Sequence, residues 1–276
     1  MKTLLITGAA GRIGTFLRTE LAGKYRLRLS DVKPIRDLRK GETFMRADMT
    51  KLASMLRVTK GVDAVLHLGG QTSGGGAEEG AWERMLPANI VGFRNTLEAA
   101  RRNGVRRFLV ATSNHAVGYY LRDETINHTV YPKPDSIYGV SKVFNEALAS
   151  YYSTRYGMEM FCMRIGNVNP APLDYRRLAI WISPRDMAQL VTIGIERPNI
   201  HFEIVYGISN NKRAWFDNRN ARRLGYRPQD RSEPYAKAVI ARDTAAAASA
   251  DIYQGYPGSA GGAARKKRSN RSPEGA

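Results

Sequence analysis

The segment Thr7-Gly8-Ala9-Ala10-Gly11-Arg12-Ile13-Gly14 constrains this chain more than any other. It follows an apolar run, Lys2–Thr7, that reads as a buried strand. It opens a helical pattern in which Ile13, Phe16, Leu17 and Leu21 share one face. The glycines permit a tight turn, let backbone N–H groups approach a pyrophosphate, and allow close helix–strand packing. A helix N-terminus adds unpaired N–H donors and a dipole that favours anions. Asp31 ends a second predicted strand, Arg26–Ser30, about 20 residues after Gly11, where an acid receives the ribose hydroxyls of a dinucleotide. An acid there repels a 2′-phosphate, so NAD is expected over NADP, with Lys33 near enough to soften the preference.

The rest of the chain repeats the pattern. Predicted strands at Thr43–Arg46, Ala64–Leu68, Arg107–Thr112 and Met158–Ile165 alternate with helical stretches at Asn89–Arg102 and Ser136–Tyr156. Apolar strands between helices imply a parallel sheet covered on both faces. The expected class is α/β, a Rossmann-type doubly wound parallel sheet with a small C-terminal substrate-binding region. The divisions expected are a cofactor-binding core over 1–166, a substrate-binding region packed on it over 167–240, and a basic tail over 241–276 read as disordered. The later region carries a predicted helix, Arg185–Glu196, a strand, His201–Tyr206, and a short helix and turn within Trp215–Pro228.

On this pattern the cofactor is expected to meet Gly8, Ala10, Gly11, Arg12, Ile13, Gly14 and Asp31. Asp48 and Met49, after the third strand, are placed to meet the adenine, although a lone aspartate there equally serves as a helix cap. Leu68 and Gly69 end the fourth strand, where backbone passes close to a ligand. His67 within that run reads as a core residue. Cys162, the only cysteine, lies in an apolar strand and excludes an internal disulfide. The four histidines show no metal-ligand spacing, so no metal is expected.

Basic residues outnumber acidic ones 43 to 25, leaving +18. The segment from 241 holds only a small part of this excess, so the body is basic throughout without one concentrated stripe. A nucleic-acid partner is therefore not expected, and a surface attractive to small anions is. No run approaches the ~18 apolar residues of a membrane-spanning helix, and the N-terminal apolar run is too short for a signal peptide. A soluble cytoplasmic protein is the expectation.

The second motif is Tyr138-Gly139-Val140-Ser141-Lys142. Tyr138 and Lys142, four apart, share a helix face. Val140, Phe144, Ala147 and Tyr151 form an apolar stripe on the other side, expected to face the core and leave Tyr138 and Lys142 free to meet a ligand. A phenol titrates near ~10, and a neighbouring ammonium favours its ionised form, as acid–base work at neutral pH requires. Ser113 stands upstream at the end of the fifth strand.

Together these features resemble the extended, sugar-nucleotide-epimerase-like branch of the short-chain dehydrogenase/reductase superfamily, from Lys2 to about Pro228. The resemblance implies Tyr138 as general acid/base, Lys142 lowering its pKa and holding the nicotinamide ribose, and Ser113 orienting the reacting oxygen. Asn89 matches an asparagine that supports the lysine through water in many members; an ordinary helix-surface amide is the alternative. Three stretches, Ser113–Tyr120, Tyr138–Lys142 and Tyr175–Trp181, with Ala214–Asn218, are similar to the bacterial uronate dehydrogenases. These oxidise C1 of galacturonate or glucuronate to an aldarolactone with NAD. That likeness implies substrate contacts from Thr72 with Ser73 as competitor, Ser113, Asn114, His115 and Asn167. It also implies a carboxylate clamp at Arg176 and a homo-oligomer. Asn167 stands where the family has a serine, and the loop after Gly69-Gly70 is longer and glycine-rich. Two other readings stay open. A nucleotide-sugar epimerase or dehydratase usually carries a larger C-terminal lobe than the roughly 75 residues that separate Ile165 from the tail. A non-catalytic NAD-binding regulator commonly loses the tyrosine or the lysine.

Overall fold

A computed structural model of the chain describes residues 1–72, 79–244 and 253–255. Strands and helices are numbered along the chain. The main sheet is built from Thr3–Thr7 (β1), Arg26–Ser30 (β2), Glu42–Phe44 (β3), Ala64–His67 (β4), Arg107–Ser113 (β5), Glu159–Ile165 (β6) and Phe202–Gly207 (β9). Its order is β3-β2-β1-β4-β5-β6-β9, with every neighbouring pair parallel. Asn167–Val168 (β7) and Trp181–Ile182 (β8) form a separate parallel pair.

Successive residues of one strand feed two different cores, which is why these strands are apolar throughout. Leu4 and Ile6 pack with Leu17, Leu21, Leu190 and Val191 under Arg12–Glu20 (α1) and Pro184–Glu196 (α7). Leu5 points the other way, into a cluster with Val65, Phe93, Leu97, Phe108 and Cys162. That face is covered by Leu52–Thr59 (α2), Phe93–Arg102 (α4) and Ile137–Tyr156 (α5). Ala81–Met85 (α3) and a wide turn of helix over Leu86–Gly92 lead into α4. The expected fold class is the one observed, with most element ends shifted by a residue or two and the helix expected from Asn89 entering α4 only at Phe93. Arg219–Arg223 (α8) lies within the short helix and turn expected over Trp215–Pro228. The helices α2 and α3, Arg177–Ile180 (α6) and Glu233–Arg242 (α9) have no counterpart among the expected elements.

The helix α5 is turned largely against the sequence expectation. Phe144 of the apolar stripe packs against the core and Tyr138 and Lys142 line a cavity, but the rest of the stripe faces outward. The buried side of α5 carries Ser141, Lys142, Asn145, Glu146, Ala149 and Tyr152, while Val140 and Tyr151 from the apolar stripe are 41% and 52% exposed. Burying polar groups is tolerable only when they are bonded; the Glu146 carboxylate and the Asn145 amide N–H are, while Asn145 Oδ1 has no partner among the described residues. Glu146 takes both Arg164 Nε and Nη2 at 2.9 and 2.8 Å and the Thr112 hydroxyl at 3.0 Å. Asn145 Nδ2 donates to Asn89 O at 3.2 Å. Periodicity finds a two-sided helix, but partners in β5 and β6 decide which side goes in.

The boundary expected at 166 runs through one continuous unit. Beyond it, α7 packs in the same core as α1, and β9 extends the main sheet beside β6. The tail also departs from expectation where it is described. Ala241 and Arg242 complete α9, and Tyr253-Gln254-Gly255 are docked on the body, with Gln254 buried. Residues 256–276 lie outside the described residues.

Candidate active site

The strand order reverses between β1 and β4, and a doubly wound sheet binds its ligand in the crevice at that point. Gly8 sits there with φ +67, and a Cβ on it would lie 2.7 Å from Gly69 Cα. Two strand ends therefore meet as bare backbone, as a pyrophosphate crevice requires. The helix α1 starts at Gly11 with no side-chain cap, leaving its first N–H groups directed at the crevice mouth. Gly14, Gly11 and Ala10 complete the turn, and Arg12 and Ile13 line the cavity beyond. Asp31 closes the far end: its Oδ2 accepts from Ala10 N and its Oδ1 from Lys33 N, each at 3.0 Å. These residues fit a dinucleotide.

The remaining cofactor candidates divide. Leu68 lines the cavity. Met49 fills the space beside Gly69 and Gly92. Asp48 Oδ1 accepts from Thr50 N and Oγ1 at 2.9 and 2.7 Å, a turn that leads into α2, and these bonds hold its carboxyl below the usual range. Asn89 is buried and clamps Gln71 through both backbone groups, at 2.7 and 3.0 Å, while donating to Ser141 Oγ at 3.0 Å. Its side chain therefore meets α5 at Ser141, and its carbonyl meets Asn145.

The crevice opens into a cavity of about 240 Å³. Ser113 and His115 enter from the end of β5, Tyr138 and Lys142 from α5, Thr72 from the loop after β4, and Asn167 from the end of β6. Ser113 Oγ accepts from His115 N at 3.2 Å and starts the turn Asn114–Val117. The His115 ring meets Tyr138 edge-on at 5.8 Å, and its Nδ1 lies 2.7 Å from Asp135. Lys142 Nζ donates to Ala111 O at 3.0 Å and lies 5.4 Å from the Tyr138 ring centroid. Behind it, His67 is buried beside Thr7, and desolvation followed by the Lys142 charge pushes its pKa down to about 3.

Three expected substrate residues stand differently. Asn114 is buried and does not line the cavity. With its amide oriented to suit both neighbours, it donates to Ile165 O at 3.1 Å and accepts from Arg176 Nη2 at 2.9 Å. Arg176 is also turned into the body: its Nε donates to Gln254 O at 3.0 Å. Of the Arg176-Arg177 doublet, Arg177 lines the cavity, with Arg12 at its cofactor end. The Arg177 guanidinium pairs with Asp174, and its Nε–H has no acceptor among the described residues. Ser73 lies outside the described residues. The Arg176-Arg177 doublet was visible in the sequence, but the rotation of the four-residue α6 decides which member faces the site.

Burial lowers the Lys142 pKa from 10.5 to about 8. Between those values the unfolded chain binds more protons than the folded one, so stability rises with pH across that window. At pH 7 the folded protein carries the whole cost, roughly 3 kcal/mol at ~1.4 kcal/mol per pKa unit. Lys142→Met removes that cost and leaves Ala111 O without a donor, a loss of about 1 kcal/mol. The variant is expected to be about 2 kcal/mol more stable than the parent at pH 7 by denaturant unfolding, with the advantage shrinking between pH 8 and 10.5. A less stable variant at pH 7 would contradict the buried-charge account.

Comparison with known proteins agrees with this geometry. The sequence profile of the NAD dependent epimerase/dehydratase family matches residues 4–183. A uronate dehydrogenase of Pseudomonas putida is 42% identical over 255 residues, covering 91% of this chain and 93% of that one. An NAD-dependent glucose-6-phosphate dehydrogenase of Haloferax volcanii is 35% identical, covering 84% and 95%. The crystal structure of a mutant uronate dehydrogenase from Agrobacterium tumefaciens complexed with NAD superposes with a TM-score of 0.84 at 34% identity, covering 92% and 96%. The chain belongs to the NAD dependent epimerase/dehydratase family, within which it is an NAD-dependent oxidoreductase acting on a CH–OH group and closely related to the uronate dehydrogenases.

Proposed function

We propose that this protein oxidises C1 of a uronic acid such as galacturonate or glucuronate, giving the aldarolactone. The observation that carries the reading is an arginine, Arg177, lining the same cavity as Ser113, Tyr138 and Lys142. An acyclic or ring polyol needs no cation; a sugar with a terminal carboxylate does, and a guanidinium fork suits it.

Bound NAD, held by the Gly8–Gly14 turn and Asp31, supplies the acceptor for the hydride leaving C1. Tyr138 takes the proton of the C1 hydroxyl. Lys142 holds positive charge close to that phenol and favours its ionised form. Ser113 orients the same oxygen, while His115, Thr72 and Asn167 surround the sugar. The names of the relatives support the substrate class. The H. volcanii relative favours a second reading, in which the anion at C6 is a phosphate and Arg177 serves it equally.

The test is NADH formation with galacturonate, glucuronate, glucose 6-phosphate and a UDP-sugar in parallel. Turnover of the uronates is expected. Turnover of the phosphate alone would move the assignment to the second reading, and epimerised UDP-sugar without net NADH would overturn both. No helix among the described residues is long and apolar enough to cross a membrane, and a cytoplasmic location is proposed with the reaction. Assembly from copies of this chain is also proposed, supported by the exposed Trp82, Val140, Tyr151 and Tyr156 on α3 and α5.

A further inference from the structure

Residues Tyr253-Gln254-Gly255 make an unusual number of bonds for so short a segment. Gln254 N donates to Tyr120 O at 2.9 Å and Gly255 N to Gly118 O at 2.8 Å. The Gln254 side-chain amide donates to Leu121 O and Glu124 O at 2.7 and 2.9 Å. In return Tyr253 O accepts from Arg122 Nε at 2.8 Å, and Gln254 O from Arg176 Nε at 3.0 Å. Gln254 is 1% exposed.

Two of these contacts reach the back of the substrate cavity. Asp135, which holds His115 Nδ1, is completely covered. One wall of its enclosure is Gly118 and another is Gly255, where a Cβ would fall 2.1 and 1.9 Å from its Oδ2. Only a residue without a side chain lets the segment lie this close. A carboxylate shielded from water holds a hydrogen-bonded imidazole more firmly than a wet one does. The other contact ties Arg176, which supports Asn114 behind Ser113 and precedes Arg177 in the chain.

We infer that Gln254 and Gly255 are positioning residues of the substrate site: they fix the His115–Asp135 pair and the Arg176–Arg177 doublet although neither of them lines the cavity. The inference rests on the uronate reading above. The glycine turn and Asp31 receive no bond from the segment, so the effect falls on the sugar and spares NAD. Orientation of a bound substrate is sensitive to such support, and small misplacements are costly.

The test compares the full chain with three forms: one ending at Asp251, one ending at Tyr256, and Gly255→Val. In the first and third, the KM for uronate is expected to rise about tenfold while NADH affinity, read by fluorescence titration, stays within twofold. The form ending at Tyr256 keeps the segment and is expected to match the full chain. An unchanged uronate KM in the first and third forms overturns the inference. So does an equal fall in NADH affinity, which would mark the segment as a general stabiliser. An equal effect of both truncations overturns it too, because the cause would then lie beyond 256. If the full chain turns over no uronate, the functional reading fails and takes this inference with it; an active parent leaves the two separable.

Discussion

Tyr138→Phe is expected to fold, bind NAD and lose ~10²–10⁴ in kcat on uronate, the usual worth of a positioned acid–base group. The substitution deletes one oxygen and keeps the ring, so the edge-on contact with His115 at 5.8 Å survives. Ser113 and Lys142 each keep an anchor of their own: Lys142 on Ala111 O and Ser113 on the turn it starts. What goes is the group proposed to accept the C1 hydroxyl proton. Water in so small a cavity is a poor replacement, because it must be oriented and ionised without Lys142 acting on it directly. Steady-state kinetics with a fluorescence titration of NADH checks both halves. Turnover near that of the parent would remove Tyr138 from the mechanism, and lost NADH binding would show that the ring supports the cofactor instead.

The parts of this site that were legible in the sequence are those whose chemistry is local. The glycine turn, the acid at Asp31 and the Tyr138–Lys142 spacing each fit within a few residues of strand or helix, and period and spacing carry them. The orientation of α5 was not legible, because Glu146 is made tolerable inside by Arg164 and the Asn145 amide N–H by Asn89 O, 18 and 56 residues away in the chain. The docked segment Tyr253–Gly255 was invisible for the same reason in a stronger form. Three polar or small residues beside an alanine-rich stretch look like solvated tail, and their partners lie more than a hundred residues upstream at Tyr120, Leu121 and Glu124. The choice between Arg176 and Arg177 turns on a finer scale. Adjacent residues on a helix point about 100° apart, so a doublet presents one side chain to the site and one to the body, and only the packing of α6 selects between them.

That selection gives the last expected result. A uronate differs from its parent aldose by a carboxylate at C6, remote from the reacting C1. A hydrogen bond to a charged group contributes about 1.5–3 kcal/mol, and each ~1.4 kcal/mol is tenfold. The Arg177 guanidinium already pairs with Asp174, so part of its charge is spent before substrate arrives, which argues for the lower half of that range. Against this, its Nε–H is buried without an acceptor among the described residues. A substrate carboxylate that reaches it removes an existing penalty as well as adding a bond. Arg177→Ala is therefore expected to lower kcat/KM for galacturonate and glucuronate about 10- to 100-fold. Any residual activity on galactose or glucose should hardly change, and neither should NADH affinity, since the glycine turn and Asp31 lie elsewhere. Arg176→Ala supplies the contrast. It cuts the ties to Gln254 and Asn114, so whatever activity it loses should fall on acid and aldose alike. Kinetics on the acid and aldose pair in both variants separates a clamp from a support. Equal losses on the two sugars in Arg177→Ala would make that residue structural too, and the case for a carboxylate at C6 would then rest on the relatives alone.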